Sequence, residues 1–447
     1  MEPVRKMRKA TNINEFTNNF LSVNVIDKTN AEFYVPIYDE IIDDIRSKIL
    51  YDELDNQTLF IAGQAGTGKT TALNFFENDE IAEKYDVKII RGRDLFDPND
   101  IDIIDILLMF GFTLVKDNKN LKNKYLERLQ KIQKIQDGIM EEVSSKTSGV
   151  GFNAGAGIGG KIGFNFLKFF ETESELSFSF KADKEFRKEI REIFKLKKND
   201  LLKMINEMIN AYYEEKDSTK RKLLFIIDDL EKLREQSQIN SIFIENKFFI
   251  YSIKCKKIVA IPIHLINNPA IFGSNDIGNE VNKFIIKLKQ NPIKDESVDD
   301  KEELVNIEKN KQLMRKIVYK RIENNELIEK EAIDEAIEKS GGVLRQFSQI
   351  LYNAGADVRR LKGQKISKND AVKGWERIKS IMDGTIISGE RIKLLESIVD
   401  NHKPTDLDSD TFIDCILNLQ IIVNQNGSVW YEVNPIIEKT VKIYANK

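Results

Sequence analysis

Cysteine and histidine are almost missing from this 447-residue chain, which holds Cys255, Cys415, His264 and His402 and no others. Two thiols so far apart in sequence make neither a disulfide framework nor a thiolate metal site, and a reducing cytoplasm is the expected setting. Two histidines leave little room for a zinc centre or histidine-based catalysis. Long apolar runs are lacking too. The longest, Ile106–Val115, falls well short of the roughly 20 residues that span a bilayer. Met1–Ala10 is basic but has no apolar core of the kind a secretory leader needs. No membrane contact is therefore expected. Strong charge imbalance is also missing, for a net charge of −3 does not announce a nucleic-acid partner. What remains is 41% apolar and 32% charged residues, a globular composition with length for two or three domains.

One stretch organises the chain. Thr58–Ala62 is a short apolar strand, Gly63-Gln64-Ala65-Gly66-Thr67-Gly68-Lys69-Thr70-Thr71 a glycine-rich turn, and Ala72–Glu77 opens a helix with Leu73 and Phe76 at core spacing. This is the G-x-x-x-x-G-K-[ST] phosphate loop between the strand and helix it requires. Its backbone N–H groups would converge on a β-phosphate, helped by the positive helix end. Lys69 would reach the β- and γ-phosphates, and the Thr70 hydroxyl would join the shell of Mg2+. ATP with Mg2+ is the expected ligand.

A loop of this kind needs a carboxylate at the end of a neighbouring strand. Leu224-Phe225-Ile226-Ile227-Asp228-Asp229 supplies a pair. Asp228 is expected to orient the metal, and Asp229 to polarise the attacking water. Lys69 and Asp228 lie far apart in sequence, so a large insertion separates them.

Around these motifs the order of elements is readable. Residues 1–33, polar and rich in Asn, read as an irregular lead-in. An amphipathic helix is expected at Tyr38–Leu50, and strands at Val87–Ile90, Lys222–Leu230, Lys257–His264 and Val281–Leu288. Ile101–Val115, Leu121–Glu142 and Lys184–Tyr213 read as helical. Glycines crowd Gly149–Gly163, and Leu176–Phe180 alternates like a strand. Residues 148–182 read as a protruding β-hairpin in preference to a membrane-active one, because Lys161 and Lys168 interrupt its apolar faces. The acidic stretch Asp295–Glu303 marks a boundary. Helices at Glu302–Glu323, Lys330–Lys339, Val343–Leu361 and Lys368–Met382 follow. From Thr385 two helices, a turn at Asn424–Gly427 between short strands, and a closing helix give the order of a winged helix.

Taken together, the chain resembles AAA+ ATPases of the origin-recognition and STAND type over roughly residues 30–447. The likeness rests on Phe33-Tyr34-Val35-Pro36, on Gly63–Thr70, on Ile226–Lys232, on Ser340-Gly341-Gly342-Val343-Leu344-Arg345, and on the tail with Asn426–Tyr431. It implies an α/β P-loop NTPase domain, a parallel sheet with flanking helices, at 34–294. A helical lid at 295–384 and a winged-helix domain at 385–447 would follow. By that resemblance Tyr34 or Val35 packs on adenine, and Arg345 reaches back to the γ-phosphate. Two departures stand out. Ala260 occupies the place of a γ-phosphate-sensing polar residue, with His264 or Asn267 as weak substitutes, and His264–Ile286 holds no arginine to serve as a finger. Both point to a slow switch and away from a ring motor.

The expected function is an ATP-binding, slowly hydrolysing switch that regulates a protein partner or effector. The resemblance extends to ATPases that act in defence against phage. The alternative is a DNA-associated ATPase of the replication-initiator or transposition-regulator kind. A small-molecule kinase is disfavoured, because no acceptor pocket is recognisable. A homo-oligomer stays open. Charge speaks against DNA, since acidic residues outnumber basic ones in 385–447 and Asp406, Asp408, Asp410 and Asp414 gather at its second helix.

Overall fold

Five strands make one parallel sheet: β1 (Thr58–Ala62), β2 (Tyr85–Arg91), β3 (Lys222–Asp228), β4 (Lys256–Ile261) and β5 (Val281–Lys283), in the order β2-β3-β4-β1-β5. The computed structural model describes residues 6–21, 25–92, 100–115, 125, 127–128, 184–215, 221–267, 281–293, 299–386, 389–404, 406–407 and 409–445. The hairpin expected at 148–182 lies outside the described residues, as does the helix expected at Leu121–Glu142 apart from 125, 127 and 128.

Every residue of β1 and β4 is buried, and so is β3 beyond Lys222. Strands covered on both faces need no polar alternation, which is why they read as unbroken apolar runs. Because β4 lies between β1 and β3, the phosphate loop and the paired aspartates leave two non-adjacent strand ends. The crevice between such ends is where open parallel sheets place ligands. β5 is shorter than the sequence suggested. Past Phe284 the chain turns off the sheet towards Gly342, whose φ is +84; a Cβ there would stand 2.5 Å from the Ile286 carbonyl oxygen.

Helices cover both faces. Asp39–Tyr51 presents Ile42, Ile45 and Ile49 to the core, and Ile103–Val115 sets the Phe110 ring 4.8 Å from that of Phe225 in β3. The helical stretch expected at Lys184–Tyr213 is two helices, Lys184–Phe194 and Lys198–Glu215, with a break between them. Arg187 and Arg191 of the first bind Asp100, and Arg191 also binds Asp105. Burial raises the Asp105 pKa to about 6, and the Arg191 pairing opposes that rise.

The helical region comprises Asp300–Arg321, Lys330–Ser340, Leu344–Arg360 and Lys368–Asp383, close to the expected limits. The lead-in is not irregular. Ile13–Asn19 is a helix capped by Asn12, and it packs against Leu344–Arg360. Just before it, Ala10 N–H donates to the Arg321 carbonyl at 2.9 Å. A seven-residue helix rich in Asn has little intrinsic stability, so tertiary packing, which no local pattern reports, holds it. At the end come helices Gly389–Asn401 and Asp410–Leu417, the antiparallel pair β6 (Ile421–Asn426) and β7 (Ser428–Val433), and helix Glu438–Ala445. The turn is narrower than Asn424–Gly427, for Asn426 already pairs with Ser428.

Candidate functional site

The Lys69 side chain is buried within the phosphate loop. Its Nζ donates to the Gly63 carbonyl at 2.7 Å and the Gln64 carbonyl at 3.2 Å, and lies 3.3 Å from Glu231 Oε1. Thr67 Oγ1 donates to the Gln64 carbonyl at 3.0 Å, and the Tyr38 hydroxyl donates to the Thr67 carbonyl at 2.7 Å. Tyr38, which the motif does not contain, therefore anchors the loop from the preceding helix. Gly66, Gly68, Lys69, Thr70 and Thr71 line one part of the cleft, and Gly63, Gln64 and Ala65 the other.

Across the crevice Asp228 Oδ2 accepts from the Thr70 hydroxyl at 2.7 Å. Oxygens of Asp228, Asp229 and Glu231 all lie within 4.8 Å of one another. Burial, and then the charges of Glu231 and Asp229, push the Asp228 pKa up to about 6. Three crowded carboxylates with a hydroxyl beside them are the hard oxygen donors that a magnesium ion takes. When bound, such an ion neutralises charge on the phosphates.

Asp229, expected as the water-polarising base, stands in this acidic cluster but is engaged by a cation of its own. Its backbone is left-handed (φ 75) and its carboxylate holds the Lys232 ammonium, while one of its oxygens stays within 4.8 Å of those of Asp228 and Glu231. Glu231 lines both parts of the cleft, and its Oε2 is buried without a hydrogen-bond partner among the described residues. The geometry favours Glu231 over Asp229. The signal for it was present in the sequence, as a third acid three positions after Asp228.

Arg345 sits where the helical region meets the loop. Its N–H donates to the Gly66 carbonyl at 2.9 Å. A Cβ on Gly66, where φ is +91, would stand 2.5 Å from that of Arg345. The Arg345 side chain lines both parts of the cleft. At the other end Tyr34 stacks on Phe75, with centroids 4.0 Å apart, and Val35 is buried; both line the cleft. Two more residues there had no sequence signal, Phe347 and Arg321.

The least expected contact belongs to Gln64. Its amide donates to the Ile421 carbonyl at 2.7 Å and the Ile416 carbonyl at 3.3 Å, while its Oε1 accepts from Val423 N–H at 3.0 Å. A phosphate-loop side chain is thus built into the C-terminal module. The hairpin itself is docked. Glu432 pairs with Lys289 at 2.5 Å, and Asn426 donates to the Lys289 carbonyl at 3.1 Å. His264 and Asn267 line neither part of the cleft. The ring of His264 is turned inside, with both nitrogens unpartnered among the described residues and its pKa pushed down by burial to about 4.

The model of the KAP family P-loop domain matches residues 38–377, most of the chain. The chain belongs to that family. As a P-loop NTPase of the KAP family, it has a nucleotide as ligand, and nucleotide hydrolysis is the chemistry that membership implies. No curated protein matches the chain. Solved structures similar to this KAP-family protein include one of Drosophila ORC bound to DNA, at 11% identity and TM-score 0.38, covering 100% of this chain and 94% of that one. Cdc6p from Pyrobaculum aerophilum is similar at 12% identity and TM-score 0.38, over 96% and 97%. A Walker-type ATPase of Pyrococcus abyssi is similar at 13% identity and TM-score 0.40, over 90% and 95%. No helix among the described residues of this KAP-family chain is long and apolar enough to cross a membrane.

Proposed function

We propose that this protein is an ATP-dependent switch of low turnover whose output is the position of its C-terminal module. In this reading, 34–294 binds Mg2+ and ATP, 295–384 acts as a lid, and 385–447 is a winged helix that docks a protein partner. Lys69 and the backbone of Gly63–Thr71 hold the phosphates, Thr70 and Asp228 hold the metal ion, Tyr34 and Val35 flank the base, and Arg345 reaches the γ-phosphate. Glu231, more than Asp229, polarises the attacking water. Action in defence against phage is one setting for such a switch.

The observation that carries the reading is the Gln64 contact. Lys69 donates to the carbonyl of the same residue whose side chain holds Ile416, Ile421 and Val423. Phosphates that draw Lys69 towards themselves unpin Gln64, and with it the C-terminal module. The docked hairpin also leaves Asn424 and Asn426 buried, so a duplex has no access to them in this arrangement.

Binding and release are reciprocal. If ATP works against the Gln64 contact, breaking that contact must favour ATP. Three hydrogen bonds at about 1 kcal/mol each bound the effect. The full-length Gln64→Ala variant is expected to bind ATP roughly 5- to 100-fold more tightly in an equilibrium titration. Unchanged affinity contradicts the switch.

A further inference from the structure

Arg321 ends the helix Asp300–Arg321 and lines the cleft with a cation that has no ion-pair partner among the described residues. Its side chain lines the same part of the cleft as Tyr34, Val35, Ile317 and Phe347. Only 8% of the residue is exposed, and its Nε is buried with no hydrogen-bond partner among the described residues. Among the described residues no carboxylate pairs with it. The Phe20 ring centroid lies 5.1 Å from the guanidinium carbon. Burial pulls its pKa down only to about 10, so the group stays charged at neutral pH.

Such a cation is costly to bury unless something pairs with it. A cation–π contact with a phenyl ring recovers part of that cost but satisfies no N–H. The backbone at the same residue is fully engaged, since the Arg321 carbonyl accepts from Ala10 N–H at 2.9 Å and Asn19 Nδ2 at 3.0 Å. The helix end is therefore fixed by the lead-in segment, and the guanidinium is held in place without being satisfied. This contrasts with Lys69, which has two carbonyls and Glu231.

Guanidinium offers donors only. A ligand part that suits it must present acceptors, and it must be flat and apolar enough to lie among Tyr34, Val35, Ile317 and Phe347. A purine meets both conditions through its ring nitrogens. We propose that Arg321 is the base-reading residue of the nucleotide site, donating to acceptor atoms on the purine edge. Because Arg321 belongs to the helical region and Phe20 to the lead-in, base binding then draws both onto the nucleotide. This rests on the reading of the cleft as a nucleotide site.

The test compares ATP with inorganic tripolyphosphate, which has the charge and no base. The full-length Arg321→Met variant is expected to lose about 10-fold in ATP affinity, the size of one charge-assisted hydrogen bond, and nothing in tripolyphosphate affinity. Arg321→Lys, with charge but no fork, is expected to recover part of the loss. Without ligand, Arg321→Met should melt at the same temperature as the wild type or higher, because an unpaired buried charge has been removed. Equal losses for both ligands, or no loss for ATP, overturn the proposal, as does a lower melting temperature with no ligand-specific loss. Lys69→Ala in the same titration separates the two readings. If it leaves ATP binding intact, the nucleotide site itself is misplaced; if it abolishes binding while Arg321→Met does nothing, only base reading fails.

Discussion

The two ends of the cleft solve the burial of a cation in opposite ways. At the phosphate end Lys69 is surrounded by the Gly63 and Gln64 carbonyls and the Glu231 carboxylate, all within 3.3 Å. At the far end Arg321 has a phenyl ring and, among the described residues, no acceptor for its Nε. The first end is balanced without ligand, so a nucleotide must displace existing contacts there, and displacement is what a switch requires. The second end is unbalanced, so a ligand only adds contacts. Binding energy from one end can thus be set against the rearrangement demanded at the other.

Breaking the balanced end has the largest expected effect. Lys69→Ala removes the main counter-charge of the phosphates and is expected to weaken ATP binding roughly 100-fold, from about 3 kcal/mol for a charge-assisted contact. It also leaves Glu231 buried without its cation, which destabilises the fold. Glu231→Gln should behave differently. Turnover is expected to fall roughly 100- to 1,000-fold, as for loss of a general base, with affinity changed less than about 10-fold. Titration together with single-turnover hydrolysis separates the two variants. The same pair made with Asp229→Asn decides between the two acids, since the geometry predicts the smaller turnover loss there.

Arg345 sharpens the comparison from the helical region. Its Ala variant is expected to lose about 1–3 kcal/mol of ATP affinity relative to ADP, read as the ratio of the two dissociation constants. A ratio that does not move places the guanidinium away from the γ-phosphate.

His264 offers a smaller test of what uncompensated burial costs, outside the cleft. Its pKa is depressed to about 4 from an ordinary 6.5. The unfolded chain therefore takes up a proton below about pH 6.5 that the folded chain refuses. Stability from this group is complete above pH 6.5 and falls as pH drops towards 4, by at most about 3 kcal/mol. Denaturant melts across that range should show a shallower fall for His264→Leu than for the wild type. Identical slopes would mean the ring finds a partner when charged.

The phosphate end was legible because its residues are contiguous. Gly63–Thr71 is one loop, and Asp228 closes an apolar run, so strand period and loop chemistry sufficed. The helices of 300–383 were legible for the same reason, each carrying its own periodicity. The far end was legible only at Tyr34 and Val35, which the family likeness marked. Phe20 and Arg321 come from opposite parts of the chain, and neither has a local signature; a helix-ending arginine is ordinarily solvated. Gln64 was visible as a loop residue, but its partners Ile416, Ile421 and Val423 are joined to it only by folding. Two of its three bonds go to backbone carbonyls and the third comes from a backbone N–H, groups that every sequence has. Adjacency to Asp228 does put Asp229 in the acidic cluster, but adjacency carries no information on the hand of the backbone. A left-handed backbone at that residue sends its carboxylate to Lys232.

The claim that the nucleotide loop holds the C-terminal module through Gln64 meets its most direct test at the Val423 amide. Its N–H donates to Gln64 Oε1 in the arrangement described here, so its hydrogen exchange reports the contact itself. Exchange measured on the full chain over Ile421–Asn426, with and without ATP, should be faster with ATP and already fast in Gln64→Ala without it. Exchange that ATP leaves unchanged or slows would contradict the account.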